Sequence, residues 1–395
     1  MPHGYLIVVG TCSYVRLMKE SNRVSYRAER AISPVDGSEW WVVLDSELVP
    51  HREASAFLRC LDGAARSPHT IRAYAGRVAT FLGWCAEQGV DWQRVELAEL
   101  ARFKHWVEST PSRLNRSRSG STVNAILTAV CEFLRFAARS GFIETGVAER
   151  LSEPRWLRFT PPGFDAGESG QHRMVRARAL KARAQTPFPE ALTPGQMVQV
   201  LACCRRPRER FIMVLLRDAG LRIGEALGLR RSDMHLLPDS RSLGCAVLGA
   251  HVHVRHRANP NGALAKSRFP RTVPASDAVL DAYADYQHER SVLTGAEGTD
   301  MVLVNLYHAP MGAAMTYRGA KGFFDRLARQ CGFPVRPHML RHTAATNWVR
   351  AGVDLDVVKA LLGHASLAST SVYLHASDED KRRAVEMVAA KRGQR

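Results

Sequence analysis

The sequence predicts a mainly α-helical protein with a small antiparallel β-sheet, divided between two domains. Three observations lead there. Apolar residues recur at three- and four-residue spacing over most of the chain. A basic stretch rich in Pro and Gly interrupts that pattern at residues 154–190. Short β-rich runs gather between about Leu243 and Pro274. The length, 395 residues, suits two or three domains.

The elements follow in chain order. Residues 1–47 read as an N-terminal extension or arm, with a short strand at Trp40–Leu44. Residues 48–153 read as a helical domain. Ser67-Pro68 supplies an N-cap and a first-turn proline. Ile71, Tyr74, Val78, Phe81, Leu82 and Cys85 then mark one apolar helix face. A second helix is expected over Glu96–Glu108. A third starts near Ser121, carries Val123, Ile126, Leu127, Val130, Phe133, Leu134 and Ala137, and ends at Gly141. Residues 154–190 hold seven Arg or Lys against three acids, and read as a basic interdomain linker lying along phosphates.

The second domain is expected over 191–395. Thr193-Pro194 opens a helix, and Phe211–Leu216 is a buried helix stopped by Gly220. Leu221–Leu229 starts another helix. Strands are expected at Ala246–Leu248, His251–Val254 and Arg271–Val273. The rest, to Lys391, reads as helices broken at Gly332, Gly352 and Gly363.

Composition excludes some functions. Hydrophobic residues make up 46% and charged residues 24%, so disorder throughout is excluded. Apolar runs such as Phe211–Leu216 fall far short of the ~20 residues a membrane span needs. Lys and Arg number 55 against 38 Asp and Glu, a net charge of +17, which points to a polyanion and first of all to nucleic acid. The eight cysteines are scattered without a C-x-x-C pair, which reads as reduced thiols in a cytoplasmic protein, and such a protein bound to DNA is expected to be nucleoid-associated. Tyr5–Gly10 has no basic segment before it, so no secretory signal is expected.

Three segments carry candidate chemistry. In Gly220-Leu221-Arg222-Ile223-Gly224-Glu225 a guanidinium and the N–H groups of a helix start suit a phosphate. In Pro337-His338-Met339-Leu340-Arg341 the His and Arg share a helix face. In Leu362-Gly363-His364 a His follows a helix end, and Tyr373 comes nine residues later. His251 and His253 share one strand face near His256, but no Cys or carboxylate is expected to complete a metal shell, so polar strand residues are favoured. There is no G-x-x-x-x-G-K-[ST] loop and no acidic metal cluster in the sequence, so neither cofactor nor metal is expected.

Taken together, in this order and in a basic chain, these segments resemble the tyrosine recombinase (phage integrase) family. The resemblance is strong over about 191–380 and looser over 48–151, and is closest to transposon-type integrases. It implies a two-domain DNA clamp, a helical core-binding domain followed by a catalytic domain. It implies Tyr373 as nucleophile, Arg222 and Arg341 on the phosphate oxygens, and Lys266 as acid for the departing 5′ oxygen. His338 would assist proton transfer at the tyrosine and His364 would hydrogen-bond the phosphate. Glu225 would orient its neighbours. The lysine turn lacks the family's common Gly-Lys-Gly run, and Arg268 is a second cation beside Lys266.

Such chemistry needs a nucleophile, charge neutralisation and a leaving-group acid. The implied activity is site-specific recombination through a 3′-phosphotyrosyl bond, for integration, excision or transposition of a mobile element. Competing readings are an inactive DNA-binding accessory of the same fold and a Xer-type chromosome or plasmid dimer resolvase. The expected partner is double-stranded DNA with specific sites. Thr122, Asn124 and Arg135 on the Ser121–Arg135 helix, and Arg268 and Arg271 near the lysine, are the expected DNA contacts. The Ser377–Arg395 tail would pack on a neighbouring protomer, giving a tetramer on DNA, with a possible accessory recombinase or directionality factor.

Overall fold

The computed structural model describes residues 7–8, 25–112, 115–157, 173–184, 190–265, 267, 269–292, 298–364 and 370. The chain forms two compact units whose main division falls between Thr186 and Pro187.

The first unit opens with β1 (Ile7–Val8), β2 (Arg27–Ile32) and β3 (Glu39–Leu44), an antiparallel sheet in that order. Five helices follow: α1 (Arg52–Gly63), α2 (Pro68–Gln88), α3 (Leu97–Ser109), α4 (Gly120–Arg139) and α5 (Thr145–Arg150). The strand expected at Trp40–Leu44 is β3. It is no loose arm, because Val43 is fully buried and joins the helical core with Tyr26, Ala28 and Trp41 packed beside it.

The helix starts follow their caps. The Ser67 hydroxyl accepts the Thr70 N–H at 3.2 Å, and Pro68 stands in the first turn of α2. The Glu99 carboxylate accepts the Glu96 N–H at 2.7 Å and fixes the start of α3. Aromatic rings join the helices, with Phe81 and Phe103 edge to face at 5.2 Å and Phe57 and Phe133 5.7 Å apart. By length and composition α4 could cross a membrane. Its apolar side lies instead in this core, through Val123, Leu127, Val130, Phe133 and Leu134.

Part of the expected linker is ordered structure. Strands β4 (Ser152–Trp156) and β5 (Met174–Arg178) pair antiparallel, Ser152 opposite Arg178. The chain beyond β5 is bound to α4. Arg178 donates to the Asn124 carbonyl at 2.8 Å and to the Thr128 hydroxyl at 2.7 Å. The Asn124 side chain exchanges two hydrogen bonds of 2.9 Å with the Ala182 backbone. Asn124 therefore holds the chain at Ala182, which engages one N–H and one lone pair of its amide. Thr122 likewise faces the α4 cap, 2.9 Å from the Ser119 hydroxyl. Arg135 lines a shallow surface hollow with Arg139 and Glu149.

The second unit comprises α6 (Pro194–Cys203), α7 (Pro207–Arg217), α8 (Ile223–Leu227), β6 (Met234–His235), β7 (His251–Val254), β8 (Arg271–Pro274), α9 (Asp277–Val292), α10 (Tyr317–Cys331), α11 (Pro337–Arg350) and α12 (Leu355–Leu362). Phe211–Leu216 of α7 is buried throughout, as expected. The sheet runs β6-β7-β8, antiparallel. The strand expected at Ala246–Leu248 is absent. Leu248 is 73% exposed and makes one isolated bridge, to Asp239. One edge strand is instead β6, whose two residues are too few to show an alternating pattern.

The helical reading beyond Ala278 also breaks, at Met301–Val304, four fully buried residues outside any helix. Their carbonyls need donors. Arg290 supplies one to Met301 at 2.8 Å, Arg208 one to Val304 at 2.9 Å, and the Tyr286 hydroxyl one to Val302 at 2.9 Å.

Candidate active site

The centre of the site is a carboxylate. Glu225 lies in α8 with its side chain shielded from solvent. Its Oε1 accepts from Arg222 Nη1 at 2.9 Å and from Arg271 Nη1 at 3.1 Å, and its Oε2 accepts from Arg271 Nη2 at 2.7 Å. Arg341 Nη1 stands 3.8 Å from Oε2. Burial alone would raise the pKa of Glu225, but the hydrogen bond and charge of Arg271, with those of Arg222, bring it down to about 2. The carboxylate is thus ionised and holds three guanidinium groups together.

Two of these arginines converge on one carbonyl. Arg222 Nη1 donates to Leu362 O at 3.3 Å, and Arg341 Nη2 donates to the same oxygen. Arg341 also donates to Gly220 O and is only 3% exposed. The N–H of Arg222, expected to face an anion, is instead bonded to Glu225 Oε2 at 2.9 Å.

His364 joins the same place from α12. Gly363 closes that helix at φ 60°, and a Cβ there would stand 2.9 Å from Arg271 Nη1. Glycine therefore satisfies both the left-handed turn and the close approach. The His364 Nδ1 lies 3.0 Å from the buried Thr370 hydroxyl. Burial, and then Arg341, Arg222 and Arg271, lower its pKa to about 4, so the ring is neutral at pH 7. On α11, His338 is exposed and its ring stands 6.3 Å from that of His342. Burial, His338 and Arg341 lower His342 to about 4.

The structure thus brings Arg222, Glu225 and Arg341 together, with His364 two residues beyond the shared Leu362 carbonyl. Lys266, Arg268, Tyr373 and the Ser377–Arg395 tail lie outside the described residues. Gly224 lets the chain at Leu264 come close to α8, since a Cβ there would meet Leu264 O at 2.8 Å. Arg271, expected on DNA, belongs to the Glu225 network, where three of its five N–H groups are engaged, two by the carboxylate and one by Leu361 O at 2.9 Å.

Residues 190–380 match the phage integrase family, and residues 54–141 match the N-terminal SAM-like domain of phage integrases. The chain belongs to the phage integrase family. It is a tyrosine recombinase, similar to "Transposase A from transposon Tn554" of Staphylococcus aureus, with 28% identity over 86% of this chain and 91% of that protein. It is also similar to "Tyrosine recombinase XerC" of Mycobacterium tuberculosis, with 28% identity over 78% of this chain and 89% of that one. Among solved structures the Tn1549 transposon integrase in complex with circular intermediate DNA shares the fold, with TM-score 0.56 and 17% identity over 84% of this chain and 98% of that one.

Sequence reasoning did not single out His342 of this recombinase, although its four-residue spacing from His338 was legible. It missed the Arg271–Glu225 pair, which spans 46 residues and leaves no local signal. It also missed that Cys245 and His235 meet His251 and His253, so a cysteine does join the strand histidines.

Proposed function

We propose that this recombinase cuts and rejoins double-stranded DNA at specific sites of a mobile element, with Tyr373 as nucleophile. The Tyr373 phenolic oxygen attacks the scissile phosphorus. The bond from phosphorus to the 5′ oxygen breaks, and Lys266 gives that oxygen a proton. A 5′-hydroxyl later attacks the 3′-phosphotyrosyl bond and releases the tyrosine, so the bond energy is kept and no nucleotide is consumed. Arg222 and Arg341 hold the non-bridging oxygens, for which planar forked guanidinium groups are suited. The observation that carries this reading is their convergence on the Leu362 carbonyl, beside His364.

A neutral His364 has one N–H. With the Thr370 hydroxyl donating to Nδ1, that N–H is on Nε2, which donates to the phosphate in this reading. His338 assists proton transfer at the tyrosine. The clamp around the duplex, a tetramer assembled through the tail, an accessory recombinase or directionality factor, and action on DNA in the cytoplasm belong to the same proposal. Arg135 and Arg268 remain its DNA contacts.

The test is covalent trapping. Purified protein is mixed with nicked duplexes from the DNA flanking its gene and separated under denaturing conditions beside Tyr373→Phe. A denaturant-resistant adduct that the Phe variant loses is expected. Specific binding without any adduct would support an inactive accessory protein instead. An adduct that persists in the variant would move the nucleophile to another residue.

A further inference from the structure

Outside the recombinase site, four metal-ligating side chains meet on the sheet of the second unit. His235 ends β6 and pairs across the ladder with His251 of β7. His251 and His253 stand two apart on β7 and so share a face. Cys245 reaches them from the connection between the two strands. The four ligand atoms all lie within 4.8 Å of one another.

The separations among Cys245, His251 and His253 are those of a tetrahedral shell. Zinc bonds of ordinary length place two nitrogens ~3.3 Å apart and nitrogen and sulfur ~3.6 Å apart. Here the Nε2 atoms of His251 and His253 are 3.2 Å apart, and Cys245 Sγ is 3.4 Å from each of them. His235 completes the set at a longer distance.

The outer nitrogens fix which lone pairs face inward. His251 Nδ1 lies 2.7 Å from Gly249 O, and His235 Nε2 lies 3.2 Å from Ser232 O. A carbonyl only accepts, so both of these nitrogens carry the hydrogen. His251 Nε2 and His235 Nδ1 are then lone pairs, and His235 Nδ1 is buried with no hydrogen-bond partner. His253 Nδ1 stands 3.4 Å from the Thr272 hydroxyl, and its Nε2 faces the cluster. Oxygen partners on the far nitrogen are the usual second-shell support of a metal-bound histidine. The thiol and imidazole protons leave the buried His235 Nδ1 without a donor, whereas a cation bound by a thiolate would engage all four atoms.

We propose that His235, Cys245, His251 and His253 bind one structural zinc ion. Three imidazoles and a thiolate in tetrahedral array select zinc over the hard cations magnesium and calcium. Four protein ligands close the shell, so the role is structural and not catalytic. The fold gives the ion a task. The connection from Leu236 to Ala250 has little apolar anchorage, with Leu243 57% and Leu248 73% exposed. The zinc ties that connection to β6 and β7. It thereby stiffens the sheet whose third strand, β8, follows Lys266 in the chain.

The experiment uses the full-length chain with its affinity tag removed, stripped by a chelator and titrated with cobalt(II). The expected spectrum has the d–d bands of tetrahedral cobalt and a thiolate-to-cobalt charge-transfer band, saturating at one equivalent and displaced by zinc. Cys245→Ser should abolish the charge-transfer band, His253→Ala should weaken binding at least tenfold, and the exposed Cys60→Ser should leave both unchanged. Wild-type protein without these bands would overturn the proposal, even if a variant failed to fold. So would a charge-transfer band that survives Cys245→Ser. The readout needs no DNA and is independent of strand exchange.

Discussion

Arg271 and Glu225 form a two-pronged ion pair, 2.7 and 3.1 Å, whose carboxylate is closed to solvent. The pair ties β8 to α8, and through Arg222 and Arg341 it sets the spacing of the two guanidinium groups assigned to the phosphate. A negative charge under a cluster of positive ones lets those groups stand close together before any phosphate arrives. Removing one partner of such a pair leaves an uncompensated buried charge, which is why its loss costs more than a surface bridge would.

Glu225→Gln tests that balance through pH. The folded-state pKa lies near 2, below the ~4.3 of an unfolded carboxylate. The stabilisation is therefore complete above the unfolded value and is lost as pH falls through the folded one. It amounts to about 3 kcal/mol at neutral pH. Calorimetry should show the variant unfolding roughly 6–12 °C lower near pH 7. The gap should narrow as pH drops from about 5 toward 2. A gap of constant size across that range would mean the carboxylate charge is not what holds the site.

Arg222→Lys separates charge from shape. Lysine keeps a cation beside Glu225 but loses the planar fork. Covalent adduct formation on a nicked duplex should slow by about 10²-fold, the scale for one oxyanion donor. The thermal midpoint should stay near that of the wild type. A variant that forms the adduct at a rate within a few-fold of normal would remove Arg222 from the phosphate.

Much of this was legible in the sequence for a physical reason. Caps and periodicity are local, so Ser67-Pro68 announced α2 and the Phe211–Leu216 run announced a buried helix. Motif spacing also carried the site, since Arg222 with Glu225 and His338 with Arg341 are one helical turn apart. What stayed hidden depends on distant partners. Arg271 looked like a DNA contact because its basic charge was visible and Glu225, 46 residues away, was not. Asn124 looked like a groove residue because its partner, the Ala182 backbone, lay in a stretch read as a tether. Cys245 seemed a lone thiol because only the antiparallel turn from β6 to β7 brings it to the histidines.

Asn124→Ala follows from that correction. The change leaves the Ala182 N–H and carbonyl without the two 2.9 Å partners they now have, in a region where Ala182 is 4% exposed. An unsatisfied buried group costs about 1–3 kcal/mol. Hydrogen exchange should quicken over residues 174–182, and urea unfolding of the first unit should shift by that amount. Sequence preference in DNA binding should not change. A change in base preference with unaltered exchange would restore Asn124 to the groove.

His364 and His342 make the remaining prediction. Both have pKa values lowered to about 4, by burial first, then by Arg341 and Arg222 for His364 and by His338 and Arg341 for His342. Unfolded histidine titrates near ~6.5, so between that value and about 4 the unfolded chain binds protons that the folded chain refuses. Stability is therefore full above the unfolded value and falls as pH drops through this window. A bound phosphate acts the other way, because an anion beside an imidazole favours its charged form. In Tyr373→Phe, where no covalent step follows, NMR of labelled histidine should show His364 titrating near 4 in the free protein and higher with a nicked duplex. Titration near ~6.5 without DNA would mean that the ring is not desolvated beside the arginines. An unchanged value with DNA would mean that the phosphate does not sit between Arg222, Arg341 and His364.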